Sequence, residues 1–276
     1  MKIYLVGGAV RDILLNKEPK DLDYVVVGAT PEYFLNLNYE QVGNSFPVFL
    51  HPETGDEYAL ARKERKIGKG YNGFEFNFDS SVTLEDDLFR RDLTINAMAM
   101  DLETKEIIDP YNGQKDLKNK VINPVSEHFK EDPVRVLRAA RFSATLQYSL
   151  SEKLITYTKE IKNMGELEAL TGEQVFKELT KVFKLTNPGD FFHALYELDV
   201  MDKVFSGIEV KNNLTLLNNL RSQTDNFDML YAMLVRGNDK ELVKSVEGAV
   251  SSKVITTLDE KEEVFPASST TCTFTV

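Results

Sequence analysis

A chain of 276 residues with 42% hydrophobic and 28% charged side chains has the composition of a globular protein with a real core, in one large domain or two to three small ones. No apolar run approaches the ~20 residues of a bilayer-spanning helix, and the short apolar stretch before Gly7 and Gly8 reads as a buried strand, not a signal peptide. The net charge of −11, from 33 basic and 44 acidic residues, argues against a passive, tight nucleic-acid binder, while leaving room for an enzyme with a local basic stripe.

Taken in order, Lys2–Val6 reads as a strand ending at Gly7-Gly8, followed by a helix over residues 10–15. A second strand is expected over residues 20–27 with a turn at Gly28, then short strands at 47–50 and 57–62. Residues 63–73 are polar and carry three glycines, which predicts a mobile loop. Residues 74–78 alternate polar and aromatic side chains, as a half-buried strand does. Thr83-Leu84-Glu85-Asp86 has the form of a capping box and predicts a helix running to about Met100. A strand at Ile107–Ile108 and a turn over residues 109–113 follow. From Asp132-Pro133, a good N-cap and N1 pair, apolar residues recur at three- and four-residue spacing to about Val250. The pattern predicts an α+β region with a mixed sheet and flanking helices to about residue 130, then an all-helical part.

Asp21 and Asp23 carry the first chemical signal. At i and i+2 on a strand their carboxylates share a face, which makes a hard oxygen site suited to Mg²⁺. The pair alone is equally at home in a solvated turn. Gly7 and Gly8, between a strand and a helix, let backbone N–H groups approach a phosphate, and Arg11 adds a fork of donors. Each motif by itself has a purely structural use; together they put a phosphate site and a metal site side by side. With only His51, His128 and His193, the chain has little material for histidine chemistry, and the lone Cys272 excludes an internal disulfide and fits a reducing cytosol.

Residues 5–12 (LVGGAVRD), 20–23 (KDLD), 90–97 (RRDLTINA) and 131–142 (EDPVRVLRAARF) together resemble the class II tRNA nucleotidyltransferase and bacterial poly(A) polymerase family, in its order and spacing. The likeness is above all to bacterial CCA-adding enzymes, extends through residues 57–62 (EYALAR) and 109–113 (DPYNG), and covers about residues 1–205. It implies a nucleotidyltransferase head over 1–130, a helical neck over 131–205 and a reduced helical body over 206–262, while the Ser- and Thr-rich residues 263–276, without periodicity, are expected to form a disordered tail. It also implies transfer of CMP and AMP from CTP and ATP to the tRNA 3′ end, without a nucleic-acid template and with release of pyrophosphate. The resemblance gives Asp21 and Asp23 the catalytic Mg²⁺, Glu57 the place of a third carboxylate, Gly8 and Arg11 the nucleotide phosphates or sugar, and Arg91 the nucleotide, with Asp92 and Asn96 shaping the pocket. It implies a cytoplasmic enzyme acting on tRNA, with no role for DNA or a membrane. CC-only, A-only and poly(A)-adding siblings stay open, as does a truncated binding protein with little catalysis.

Asp132, Arg135 and Arg138 follow one another at i,i+3 spacing on one helix face. An Asp only accepts and an Arg only donates, a pair that matches the Watson–Crick edges of cytosine and adenine and leaves guanine and uracil unpaired. Asp132 before Pro133 is also an ideal helix cap, a competing use of the same carboxylate. The resemblance gives residues 63–73 the part of a loop used in switching from C to A addition. Lys177, Lys181 and Lys184 share a helical face that suits either tRNA phosphates or plain solvation. The chain departs from the family after about Gly207: it has no histidine beyond His193, so the C-terminal His-Asp phosphohydrolase motif is missing, and the expected body is short.

Overall fold

Short runs of β-branched and aromatic residues separated by Gly, Pro and Asn turns build a seven-stranded mixed sheet at the heart of the N-terminal half. The computed structural model describes residues 1–42, 48–66, 74–77 and 81–239. The strands are β1 (Lys2–Val6), β2 (Asp23–Val27), β3 (Glu40–Val42), β4 (Val48–Leu50), β5 (Glu57–Leu60), β6 (Lys63–Lys66), β7 (Phe74–Asn77), β8 (Ala99–Asp101), β9 (Ile107–Ile108), β10 (Val121–Ile122) and β11 (Ser149–Leu150). The large sheet has the order β3-β4-β5-β2-β1-β8-β9; β6 with β7 and β10 with β11 form separate pairs. All neighbours in the large sheet are antiparallel except β2 and β5.

Helices α1 (Gly8–Leu14), α2 (Pro31–Asn36), α3 (Leu84–Phe89) and α4 (Gly113–Asn119) belong to this first unit, Met1–Arg135 with Tyr148–Glu160. Because successive strand side chains point to opposite faces, Val25 packs with Leu84 and Leu88 of α3, while Val26 packs with Phe34 and Phe49 on the other side. Both faces are therefore covered, and Phe34, Phe49 and Leu88 are completely or almost completely buried.

The second unit, Val136–Gln147 and the described residues from Ile161, is helical. Helices α5 (Val134–Leu146) and α6 (Glu152–Asn163) each begin in the first unit and run into the second; α7 (Gly172–Val182), α8 (Gly189–Glu197), α9 (Met201–Val204), α10 (Leu214–Arg221) and α11 (Phe227–Leu234) lie wholly in the second. Within it, Arg141 Nε donates to the buried Glu178 Oε2 at 2.5 Å, tying α5 to α7. Among the described residues no helix is long and apolar enough to cross a membrane.

Several expected elements differ. The helix expected from Thr83 to about Met100 ends at Phe89, because the chain turns there into a 3-10 turn (Thr94–Asn96) and then β8. The turn expected over 109–113 forms and runs into α4 at Gly113, with the Asp109 carboxylate accepting from the Gly113 and Gln114 N–H groups. Residues 63–66, read as part of a loop, pair as β6 with β7; residues 67–73 lie outside the described residues. The tail expected over 263–276 also lies outside them. Helix α2, opened by Thr30-Pro31, and strands β3, β10 and β11 carried no periodicity long enough to be read from sequence.

Candidate nucleotide-binding and catalytic site

Four strand ends meet at one end of the sheet. β1 and β2 run antiparallel with Leu5 opposite Tyr24, so the Gly7-Gly8 turn after β1 lies beside Asp23 at the start of β2. β2 and β5 run parallel with Asp23 opposite Glu57, so these two carboxylates stand side by side on one face, and their neighbours Tyr24 and Tyr58 stack on the other with ring centroids 4.5 Å apart. β8 runs antiparallel to β1 with Ala99 opposite Val6, which brings the segment before it to Gly7; the Gly7 N–H donates to Met98 O at 3.2 Å.

Asp21 does not lie on a strand as expected. It sits in the bend before β2, which begins at Asp23, because the ladder with β1 and β5 starts only there. The three acidic groups nevertheless interact. Asp23 is raised above the ordinary carboxyl range, chiefly because the protein displaces water around it, with Arg91 opposing and Asp21 adding to the rise. Glu57 is raised for the same first reason, with Asp23 and Asp21 adding to it. Both side chains keep contact with solvent.

The basic side of the site is built from long-range contacts. Gly7 has φ +69° and ψ −129°, a backbone region open essentially to glycine alone, and a Cβ there would stand 3.0 Å from Arg91 Nη1. At Gly8 a Cβ would meet Arg11 Nη2 at 3.5 Å. Arg11 donates from Nη1 to Asn96 Oδ1 at 2.7 Å and from Nε and Nη2 to Asp12. A guanidinium only donates, so the Asn96 oxygen must face Arg11 and its amide nitrogen must face the other way; that buried nitrogen has no hydrogen-bond partner. Arg91 donates from Nη1 to Asn96 O at 3.4 Å. Asp92 is buried and accepts from the Leu93 N–H.

Asp87 was not legible as a site residue. It is completely buried on α3 and accepts from both Arg90 and Arg91. Burial opposes its ionisation, yet Arg90 and Arg91 outweigh burial and pull its pKa down to about 2. The signal for it was present: Asp87 precedes Arg90 and Arg91 by three and four residues on a helix opened by a capping box.

The residues expected to read the base are placed less simply. Asp132 Oδ1 accepts from the Val134 N–H at 3.0 Å, so the capping use of this carboxylate is realised. Arg135 is buried and donates from Nη1 to His128 O at 2.8 Å. α5 passes from the first unit to the second between Arg135 and Val136; Arg138 therefore belongs to the second, where its guanidinium lies 5.7 Å from the Phe142 ring centroid. Lys177 and Lys181 are paired along α7 with Glu173 and Glu178, and Lys184 lies past the end of that helix. An apolar recess in the second unit, lined by Leu170, Val175, Leu179, Phe205 and Tyr231, has Glu168 paired with Lys203 and offers nothing for phosphoryl chemistry.

The poly A polymerase head domain profile matches residues 3–123, the stretch that holds all four converging strand ends. The multifunctional CCA protein of Actinobacillus pleuropneumoniae serotype 5b is 53% identical over 208 residues, 74% of this chain and 50% of that protein. The chain carries a poly A polymerase head domain over residues 3–123. It spans about half the length of the curated CCA proteins it matches. Among solved structures, a tRNA nucleotidyltransferase complexed with a primer tRNA and an incoming ATP analogue superposes with a TM-score of 0.76 at 26% identity, covering 96% of this chain and 82% of that one. A Thermotoga maritima CCA-adding enzyme complexed with tRNA gives 0.72 at 26% identity, covering 96% and 66%. Nucleotidyltransferases of this family generally use a divalent metal.

The donor set can be tested against such an ion. Among the described residues no group of three or more His, Cys, Asp or Glu is arranged to hold a metal by itself. Mg²⁺ characteristically takes one or two carboxylates and completes its shell with substrate phosphates and water. Asp21 and Asp23, next to the glycine turn, fit an ion shared with a triphosphate and do not fit an all-protein cage.

Proposed function

We propose that this chain is a CCA-adding tRNA nucleotidyltransferase, moving CMP and AMP from CTP and ATP to the 3′ end of tRNA. The observation that carries the reading is the meeting of the Asp21, Asp23 and Glu57 carboxylates with the Gly7-Gly8 turn, Arg11 and Arg91 at one end of the sheet. Its relatives' names, and solved relatives holding CTP, an ATP analogue or tRNA, support the same substrates. A cytoplasmic location, with no part for DNA or a membrane, follows from those substrates.

In this reading the triphosphate lies along the glycine turn, where Gly7 and Gly8 allow close backbone approach and Arg11 and Arg91 supply charge-assisted donors. Asp21 and Asp23 hold Mg²⁺, which when bound neutralises phosphate charge and makes the tRNA 3′-hydroxyl easier to ionise. The 3′-oxygen bonds to the α-phosphorus as the α–β bridging bond breaks; pyrophosphate carries away that electron pair. The hydroxyl proton passes to the Glu57 carboxylate, which stands beside Asp23 and is not one of the two metal-holding groups. Glu57 thus assists as the third carboxylate. Asp132 and Arg135 select the base, with Arg138 behind them on α5; Arg135 has five N–H donors, and its Nη1 bond to His128 O anchors the fork.

The test is incorporation from single labelled nucleotides, and from CTP with ATP, into tRNAs ending before CCA, after C and after CC. Addition of C, C and then A, without GTP or UTP incorporation, and reduced by at least ~10²-fold in Asp21→Ala, is the expected result. Long A tails would instead indicate poly(A) synthesis, C-only or A-only products a partial sibling, and tRNA binding without turnover a non-catalytic protein.

A further inference from the structure

We propose that Asp87 is a positioning residue, which holds the Arg90 and Arg91 guanidiniums on its two carboxylate oxygens and so aims Arg91 at the Gly7-Gly8 turn. The inference rests on the nucleotidyl-transfer reading above. Asp87 is fully enclosed, so it touches no substrate and acts only through its partners. Its Oδ1 accepts from Arg90 Nη2 at 2.5 Å, Arg90 Nε at 3.2 Å and the Arg62 backbone N–H at 3.3 Å. Its Oδ2 accepts from Arg91 Nη2 at 3.0 Å and Nε at 3.3 Å.

This division of the two oxygens has a geometric consequence. A guanidinium is planar and rigid, so fixing Nε and Nη2 of Arg91 also fixes where Nη1 points. Nη1 reaches Asn96 O at 3.4 Å and lies 3.0 Å from where a Gly7 Cβ would be. Arg91 therefore crosses the turn at Gly7, where a side chain is missing. One negative charge shared by two guanidiniums also leaves the Asp87, Arg90 and Arg91 group net positive, as an anionic ligand requires. Arg90, on the other oxygen, balances the carboxylate and keeps it from rotating toward Arg91 alone.

The experiment uses the full chain and compares Asp87→Asn, Asp87→Glu, Arg91→Ala and the double variant Asp87→Asn with Arg91→Ala. The readouts are CTP and ATP affinity by calorimetry, KM and kcat for incorporation, and the melting temperature. Asp87→Asn keeps the size but turns an NH₂ donor toward a guanidinium. It is expected to raise KM and Kd for both nucleotides at least ~10-fold with a smaller change in kcat, and to add less than ~2-fold to the loss in Arg91→Ala. A folded Asp87→Asn with unchanged KM and Kd, or losses that multiply in the double variant, would overturn the proposal. Should the amide variant fail to fold, Asp87→Glu decides: it keeps the charge but shifts the oxygens by a methylene. Raised KM at near-normal stability supports positioning, and unchanged KM overturns it. A wild-type chain that binds neither CTP nor ATP would overturn the nucleotide reading and this inference with it, whereas equal binding by wild type and Asp87→Asn overturns the inference alone.

Discussion

Gly7 shows how one residue serves both backbone and site. Its φ of +69° with ψ −129° strains any side chain, and the Arg91 contact adds a steric term. Gly7→Ala is expected to cost ~1–3 kcal/mol in urea unfolding and to weaken CTP binding. Gly55 has a similar φ of +74° but nothing within 4 Å, so Gly55→Ala should cost less and leave CTP binding unchanged. Equal effects from the two would mean that the Arg91 contact is immaterial. Asp87 gives a pH dependence at the same scale. Its folded pKa of about 2 lies below that of an ordinary aspartate, so its stabilising effect is complete above about pH 4 and is lost as pH falls toward 2. The loss is on the order of 2 kcal/mol, and urea midpoints of wild type and Asp87→Asn should converge over that window. Midpoints that stay parallel to pH 2 would count against a strongly ionised Asp87.

α3 is the element on which the basic side of the site depends. A six-residue helix is marginal alone, so it persists through its cap and through Leu84 and Leu88 in the core. Thr83 Oγ1 accepts from the Asp86 N–H at 3.1 Å, and Asp86 Oδ2 accepts from the Thr83 N–H at 3.0 Å. Thr83→Ala should therefore lower stability by ~1 kcal/mol, measured by thermal unfolding, and raise the nucleotide KM a few-fold through loosened Arg91. A stability loss with no change in KM would separate the cap from the site. The capping box was readable because it is a local hydrogen-bond pattern. The end of α3 at Phe89 was not, because residues 90–98 carry no Gly or Pro to stop a helix and are diverted by the pairing of β8 with β1.

At the scale of the molecule, charge sets the expected mode of RNA binding. The chain carries −11 overall, and Lys177 and Lys181 are matched by Glu173 and Glu178. Few phosphates can be neutralised, so the slope of log affinity for tRNA against log salt should be no steeper than about −3 by filter binding. A slope near about −8 would reveal a basic surface that these lysines do not supply. By itself, the sequence determined what is short-range: β1 and its glycine turn, the α3 cap, the start of α5, and the carboxylate and arginine motifs that mark the family. Tertiary structure decided what those motifs do to one another. Arg11 meets Asn96 across 85 residues of chain, Asp23 stands beside Glu57, and Asp87 is sealed against two arginines. No local spacing encodes such neighbours, because strand register and burial are settled by pairing and packing between segments remote in the chain.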